Sequence, residues 1–216
     1  MASVDYETLR QNMLDIDSQT WDEMKILARD GDAEAQFLLG YRLYDTRLEC
    51  DDCEKWLRQA AAQEHPEAVY HLARTTFHPQ VMTVTCPETV EGLRLLTKAA
   101  ELGFVEAQRD LAVCYYWGEP PFVRDLSKTR YWYLQAAKHG HLESQIAVGS
   151  MIVQGDGGPA NPAEGLAFLE MAANGPDPEE ARAAAELLAH FYSGECGVSR
   201  DLEKIKEWSE RAKRSS

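Results

Sequence analysis

No stretch of this chain is apolar for long enough to span a membrane, and residues 1–18 contain no apolar run that would serve as a secretory leader. The expectation is a cytoplasmic chain with no membrane contact. Basic residues are scarce: 22 Lys and Arg stand against 36 Asp and Glu, a formal net charge of −14. Such a surface repels phosphate backbones and anionic lipid, which excludes nucleic acid as the expected partner. It speeds encounter with a basic protein. The imbalance is concentrated at one end, where residues 1–54 carry 14 acidic and 5 basic side chains.

Cysteine is sparse and odd in number, at Cys50, Cys53, Cys86, Cys114 and Cys196. The segment Cys50-Asp51-Asp52-Cys53 is a lone C-x-x-C. As half of a zinc site it would need two further ligands, for which Cys86 and His65 or His78 are the candidates. As a redox pair it would want a positive environment, and the two aspartates raise thiol pKa values instead. Neither a metal nor a cofactor is expected there. There is no His-Glu-x-x-His, no Gly-x-Ser-x-Gly and no Ser-His-Asp arrangement. The run Gly155-Asp-Gly-Gly-Pro-Ala-Asn-Pro162 lacks the lysine and the preceding strand of a phosphate loop, and reads as a connector. His139 and His141 flank Gly140, where a cation near a helix C-terminus is a sufficient reading. The chain is expected to be no enzyme.

What is present is one unit, repeated. The phrase Ala-Glu-Leu-Gly-Phe-Val-Glu-Ala at 100–107 recurs as Ala-Lys-His-Gly-His-Leu-Glu-Ser at 137–144 and as Ala-Arg-Asp-Gly-Asp-Ala-Glu-Ala at 28–35. Ala35, Ala68, Ala107, Ser144 and Ala183 anchor one register of 33 to 39 residues, a period that means stacked supersecondary units. Apolar or small residues follow at offsets 4, 5 and 8, which is helical spacing. Gly118, Gly155 and Gly194 close three copies, as suits a helix C-terminus. A second helix follows in each copy. It starts near Glu49, Glu88, Asp125, Asn161 and Asp201, the last three being good N-caps. It ends near the pairs Ala60-Ala61, Ala99-Ala100, Ala136-Ala137, Ala172-Ala173 and the degenerate Arg211-Ala212. Trp56, Leu95, Trp132, Phe168 and Trp208 stand one turn before these pairs and fill the space that the small residues leave between helices. Trp132 has a repeat on either side and Trp208 does not, so truncating Trp132 is expected to cost more.

This pattern resembles the Sel-one-like repeat family, relatives of the tetratricopeptide repeats. The third copy follows it through Ala107, Leu111, Ala112, Tyr115, Gly118, Val123, Asp125, Trp132, Tyr133, Ala136, Ala137 and Gly140, and the fifth repeats Val198, Asp201, Trp208 and Ala212. The resemblance covers residues 21–214. The first two copies depart from it, with Thr46 and Pro79 where glycine is expected and an irregular loop at 77–87. The resemblance implies an all-α fold: a right-handed alpha-alpha superhelix, or solenoid, of about five helix-turn-helix repeats at 31–216, preceded by an N-terminal helical cap at 1–30, as one elongated domain overall. It implies a protein-binding role, as an adaptor or inhibitor that grips a protein or peptide. A sharper alternative is an immunity protein that neutralises a bacterial toxin. Some cysteine-rich relatives are associated with hydrolysis of cell-wall-related substrates, but their paired cysteines are not reproduced here.

Relatives of this kind line a concave face with their first helices. On a helical wheel, offsets 2, 6 and 9 from each anchor point away from the face defined by offsets 0, 4, 5 and 8. In the first three repeats these positions, with the residue after the last, supply Tyr41, Tyr44, Tyr70, Arg74, Phe77, Arg109, Tyr116 and Trp117. Tyrosine, tryptophan and arginine are the residue types that dominate binding energy at interfaces. The later repeats offer Ser150, Ala185 and Ala189, so the partner is expected at the first three.

Overall fold

The computed structural model describes residues 6, 10, 18–45, 51–76, 87–118 and 122–214. Among them are eleven α-helices and no strand. They are α1 (Ser18–Arg29), α2 (Ala33–Asp45), α3 (Asp51–Ala62), α4 (Pro66–Thr76), α5 (Pro87–Glu101), α6 (Val105–Trp117), α7 (Leu126–Lys138), α8 (Leu142–Gln154), α9 (Pro162–Ala173), α10 (Pro178–Phe191) and α11 (Leu202–Arg214). The chain therefore has the all-α class read from its periodicity. Even-numbered helices are the first members of five pairs, each packed on the helix that follows it. The described residues fall into two compact units, Met1–Phe104 and Val105–Ser216.

The packed face is the expected one. Ala35, Ala68, Ala107 and Ser144 are buried, as are Leu39, Leu72, Leu111 and Val148 four residues on. The alanine pairs of the second helices are buried at Ala99-Ala100, Ala136-Ala137 and Ala172-Ala173. Small residues at offset 5 have a steric reason. A Cβ on Gly149 of α8 would stand 2.9 Å from the Gly165 carbonyl oxygen of α9, and one on Gly165 would stand 2.5 Å from the Gly149 carbonyl oxygen. The two backbones touch, and only glycine at both places permits it.

The caps also follow from the sequence. Asp125 accepts hydrogen bonds from the backbone N–H groups of Ser127 and Lys128, and Asp201 accepts from those of Glu203 and Lys204. Asn161 caps α9 through the Glu164 N–H. Gly155 ends α8 at a φ of 84°. Glu88 is an exception: α5 already begins at Pro87. Glu49 lies outside the described residues, as do Cys50, His78, Pro79 and Cys86.

These three N-caps are each tied back to the first helix of their own pair. The N–H groups of Asp125, Asn161 and Asp201 donate to the carbonyls of Tyr115, Ile152 and Tyr192, at 2.9, 2.9 and 3.0 Å. Tyr115 and Ile152 stand at offset 8, so Tyr192 must stand there too. That moves the anchor of the fifth repeat from Ala183 to Ala184, with Leu188 and Ala189 at offsets 4 and 5. The burial agrees: Ala184, Leu188 and Tyr192 are buried and Ala183 is not. Two lysines repeat the equivalence, since Lys128 Nζ lies 4.8 Å from the Tyr115 ring centre and Lys204 Nζ 4.5 Å from that of Tyr192.

Repeats are joined by buried glutamines. Gln145 Nε2 donates to the Ala137 carbonyl at 3.2 Å, and Gln36 Nε2 donates to the Ala28 carbonyl at 2.9 Å. Ala28 of α1 thus takes the place that Ala137 takes in a complete second helix. His141 is not a cation at a helix C-terminus. It is the N-cap of α8, accepting the Ser144 N–H at Nδ1, and burial with the nearby Arg109 charge pushes its pKa down. His139 does bond the C-terminal turn of α7, at the Gln135 carbonyl.

Candidate protein-binding faces

Helices α2 and α4 carry the expected residues of the first unit. Tyr70 is buried, 6% exposed, with its ring centre 4.9 Å from that of Phe104. Its expected exposure is corrected. The helical wheel gives each helix one packed face, whereas a first helix in a stack also meets the residues leading into the following repeat. Phe37, at the same offset, is 3% exposed for the same reason. Tyr41 is half-buried, edge-on to His71 at 4.7 Å. Arg74 is exposed, with its guanidinium carbon 5.9 Å from the Tyr70 ring centre. Phe77 and the side chain of Tyr44 lie outside the described residues.

The same face holds a charged cluster that the wheel missed. Arg10 Nε and Nη2 donate to the two carboxylate oxygens of Glu34 at 2.7 and 3.0 Å, and Nη1 donates to Glu67 Oε1 at 2.6 Å. Its guanidinium carbon is 5.5 Å from the centre of the Phe37 ring. Phe37 in turn stacks on His65 at 4.8 Å. His65 Nε2 is 2.9 Å from Glu34 Oε2, while Nδ1 accepts the Ala68 N–H at 3.3 Å. The tautomer with its proton on Nε2 does both. Burial alone would raise the Glu34 pKa, but the hydrogen bonds from His65 and Arg10 outweigh it and hold the carboxyl at about 2. A signal was present in the sequence: glutamate precedes the anchor in four repeats, as Glu34, Glu67, Glu106 and Glu143. Its cationic partner, 24 and 57 residues away, was not readable.

In the second unit α6 supplies the candidates. Trp117 is 67% exposed and Tyr116 37%. Their rings meet edge to face at 5.0 Å, and the Arg124 guanidinium carbon is 5.9 Å from the Tyr116 ring centre. Arg109 pairs with Asp110 at 2.9 Å and reaches toward Glu143 at 3.6 Å. Two large aromatics are thus left in solvent at a helix end, beside an arginine, and these are residue types enriched at protein interfaces. Among the described residues no group of three or more metal-ligating side chains comes together. No helix among them is long and apolar enough to cross a membrane.

Paired helices in one repeating register, with a small residue where each pair touches, define an α-helical repeat protein. The chain belongs to the Sel1 repeat family, whose pattern matches residues 33–48, 50–65, 87–104, 105–141, 142–177 and 182–215. The three later repeats match across both helices, and the two earlier ones in halves or in part. The chain is 29% identical over 167 residues to the chitin synthase regulator SKT5 of Saccharomyces cerevisiae, a match covering 73% of this chain and 23% of that protein. It is 27% identical over 165 residues to chitin synthase regulatory factor 3 of Schizosaccharomyces pombe, covering 73% and 17%. The chain thus spans under a quarter of the length of either. A Sel1 repeat protein from Oxalobacter formigenes has the same fold, with a TM-score of 0.73 at 22% identity over 98% of this chain and 84% of that one. So does c5321, a protective antigen of uropathogenic Escherichia coli with an SLR fold, with a TM-score of 0.71 at 25% identity over 90% and 40%. Sel1 repeat proteins generally mediate protein–protein interaction.

Proposed function

We propose that this chain is a non-enzymatic, cytoplasmic protein-binding scaffold, acting as an adaptor or inhibitor, that holds a protein or peptide on its first-helix faces. In the second unit the contact residues are Arg109, Tyr116 and Trp117, and in the first unit Tyr41, Tyr44, Arg74 and Phe77. The observation that carries this reading is the solvent exposure of Trp117, at 67%, next to Tyr116. Burying one such ring against a partner is worth roughly 1.5–3 kcal/mol, and exposing it without a partner is unfavourable. Similarity to regulators of chitin synthase over 73% of this chain supports action through binding. The test starts with a photo-crosslinking amino acid placed at Arg124, to capture and identify the partner from the native host. Purified partner should then bind the Tyr116→Ala, Trp117→Ala double variant at least tenfold more weakly, with the melting temperature unchanged. Unchanged affinity would remove this face from the reading.

The net charge of −14 favours a second, narrower reading, in which the partner is a basic toxin and the chain is its immunity protein. Co-expression distinguishes the two: the chain should rescue growth from the captured partner, and the double variant should not.

A further inference from the structure

The Arg10 cluster has the anatomy of a binding site with its ligand already in place. Glu34 and Glu67 occupy the same position in successive first helices, so their carboxylates are delivered side by side. His65 holds the Glu34 carboxylate from one side, and the Phe37 ring gives a floor. The floor itself is buried and packed on His65, so the cradle is built from the fold of α2, α4 and the turn between α3 and α4. Arg10, by contrast, comes from outside these helices and remains 38% exposed at its side chain.

The second unit shows what the position needs. There the cation facing Glu143 comes from the preceding first helix, as Arg109 at offset 2. In the first unit offset 2 of the preceding helix is Phe37, which cannot supply a charge. The cation is brought in by another part of the chain and laid over that ring. Tyr6 lies on the same side, hydrogen-bonded to Asp32, and burial and that carboxylate push its hydroxyl well above the usual range.

We propose that the Glu34–Glu67–Phe37 cradle is an arginine-reading site for a basic partner segment, and that Arg10 fills it in cis until the partner's arginine displaces it. The chemistry selects arginine over lysine. The Glu34 carboxylate is engaged by two N–H groups of one planar guanidinium while a third reaches Glu67, a fork that a lysine ammonium has no means to reproduce. The excess of acid in residues 1–54 favours basic residues around that arginine. An occupant from the same chain competes as an intramolecular contact, favoured over a free peptide without any added interaction. A partner must therefore bring contacts beyond its arginine to win the seat, which makes Arg10 a filter against casual basic peptides. The proposal rests on the reading of the chain as protein-binding, but its test needs neither the native partner nor Trp117.

The probe is a blocked 12-residue helical peptide of alanine and lysine with one central arginine, alongside versions with lysine or glutamine at the centre. Binding to the full chain is measured by calorimetry at fixed salt. The arginine peptide should bind the Arg10→Ala chain at least tenfold more tightly than the unaltered chain, and at least tenfold more tightly than the lysine peptide binds the same variant. Adding Glu34→Gln and Glu67→Gln to Arg10→Ala should erase the preference for arginine over lysine. If Arg10→Ala alters the helical signal, Arg10→Lys keeps a charge in the seat and should give a smaller gain of the same sign. Equal binding of the arginine and lysine peptides to a folded Arg10 variant would overturn the proposal, and so would a variant with no gain over the unaltered chain. Loss of the partner captured at Arg124 would bear on the other face and leave this result unaffected.

Discussion

His71 and Glu34 sit on one face of the first unit, and their titrations divide the acid range between them. Burial, with the Arg74 charge nearby, holds His71 at about 4, below its ordinary 6.5. Its neighbours are the rings of Phe37, Tyr41 and Tyr70, at 5.8, 4.7 and 5.6 Å. The unfolded chain takes up a proton there first, so the stability His71 contributes is whole above pH 6.5 and is lost as pH falls from 6.5 to 4. Glu34, held at about 2, contributes above 4.5 and loses that contribution as pH falls from 4.5 to 2. Each slope is bounded by about 1.4 kcal/mol per pH unit for one proton. Urea midpoints measured from pH 7.5 to 3 should fall in both windows. His71→Gln should flatten the upper window and Glu34→Gln the lower. Slopes unchanged by both substitutions would show that neither group carries the dependence.

Helix pairs set two further expectations. Gly165→Ala would improve helix propensity by about 1 kcal/mol. Its new Cβ, however, would lie 2.5 Å from the Gly149 carbonyl oxygen and 2.6 Å from Val153 Cγ2. Backbone cannot swing aside as a side chain does, so α8 and α9 must part, and net destabilisation of roughly 1–3 kcal/mol is expected from overpacking. Chemical denaturation measures it, and a gain in stability would contradict the close approach. The tryptophans reverse the order that the sequence suggested. Trp208 of the last pair is 6% exposed inside the core of Leu188, Phe191 and Val198, whereas Trp132 is half-buried, with Tyr133 taking the deeper place beside it at 8%. Trp208→Ala should cost about 3–5 kcal/mol, as for a buried aromatic. Trp132→Ala should cost clearly less, and a larger loss at Trp132 in the same denaturation series would restore the first ordering.

At the scale of the whole molecule, charge and helix content are the properties that matter. Far-ultraviolet circular dichroism should show a helical protein with no strand contribution. Attraction to a basic partner should weaken as salt is raised, since the Debye length shrinks to about 8 Å at physiological ionic strength. Affinity that holds constant from low to physiological salt would assign binding to the aromatic surface at Trp117 and away from the acidic N-terminal residues. The repeat register was legible over most of the chain because each helix pair needs the same small and large residues at the same offsets. It slipped by one at the fifth repeat. There Gly194 stands one residue closer to its anchor Ala184 than Gly118 and Gly155 stand to theirs, so a constant spacing to glycine points to Ala183 instead. Only the tie between the Asp201 N–H and the Tyr192 carbonyl identified it.

Periodicity is a local property, and by itself it determined the helical class, the pairing of helices, the buried anchor and offset-4 positions of the first four repeats, three of the N-caps and the family. All of these depend on residues within one repeat. Which side chains of the first helices stay in solvent was decided by the tertiary structure. Tyr70 and Trp117 are both aromatic and both lie away from the face that offsets 0, 4, 5 and 8 define, yet one is sealed against Phe104 and the other left open. A wheel drawn for one helix contains no neighbour, and the neighbours make that difference. The seat of Arg10 was beyond the sequence for the same reason. Two glutamates 33 residues apart become a single site only when successive first helices are brought side by side, and nothing in the spacing of Arg10 indicates that it reaches them.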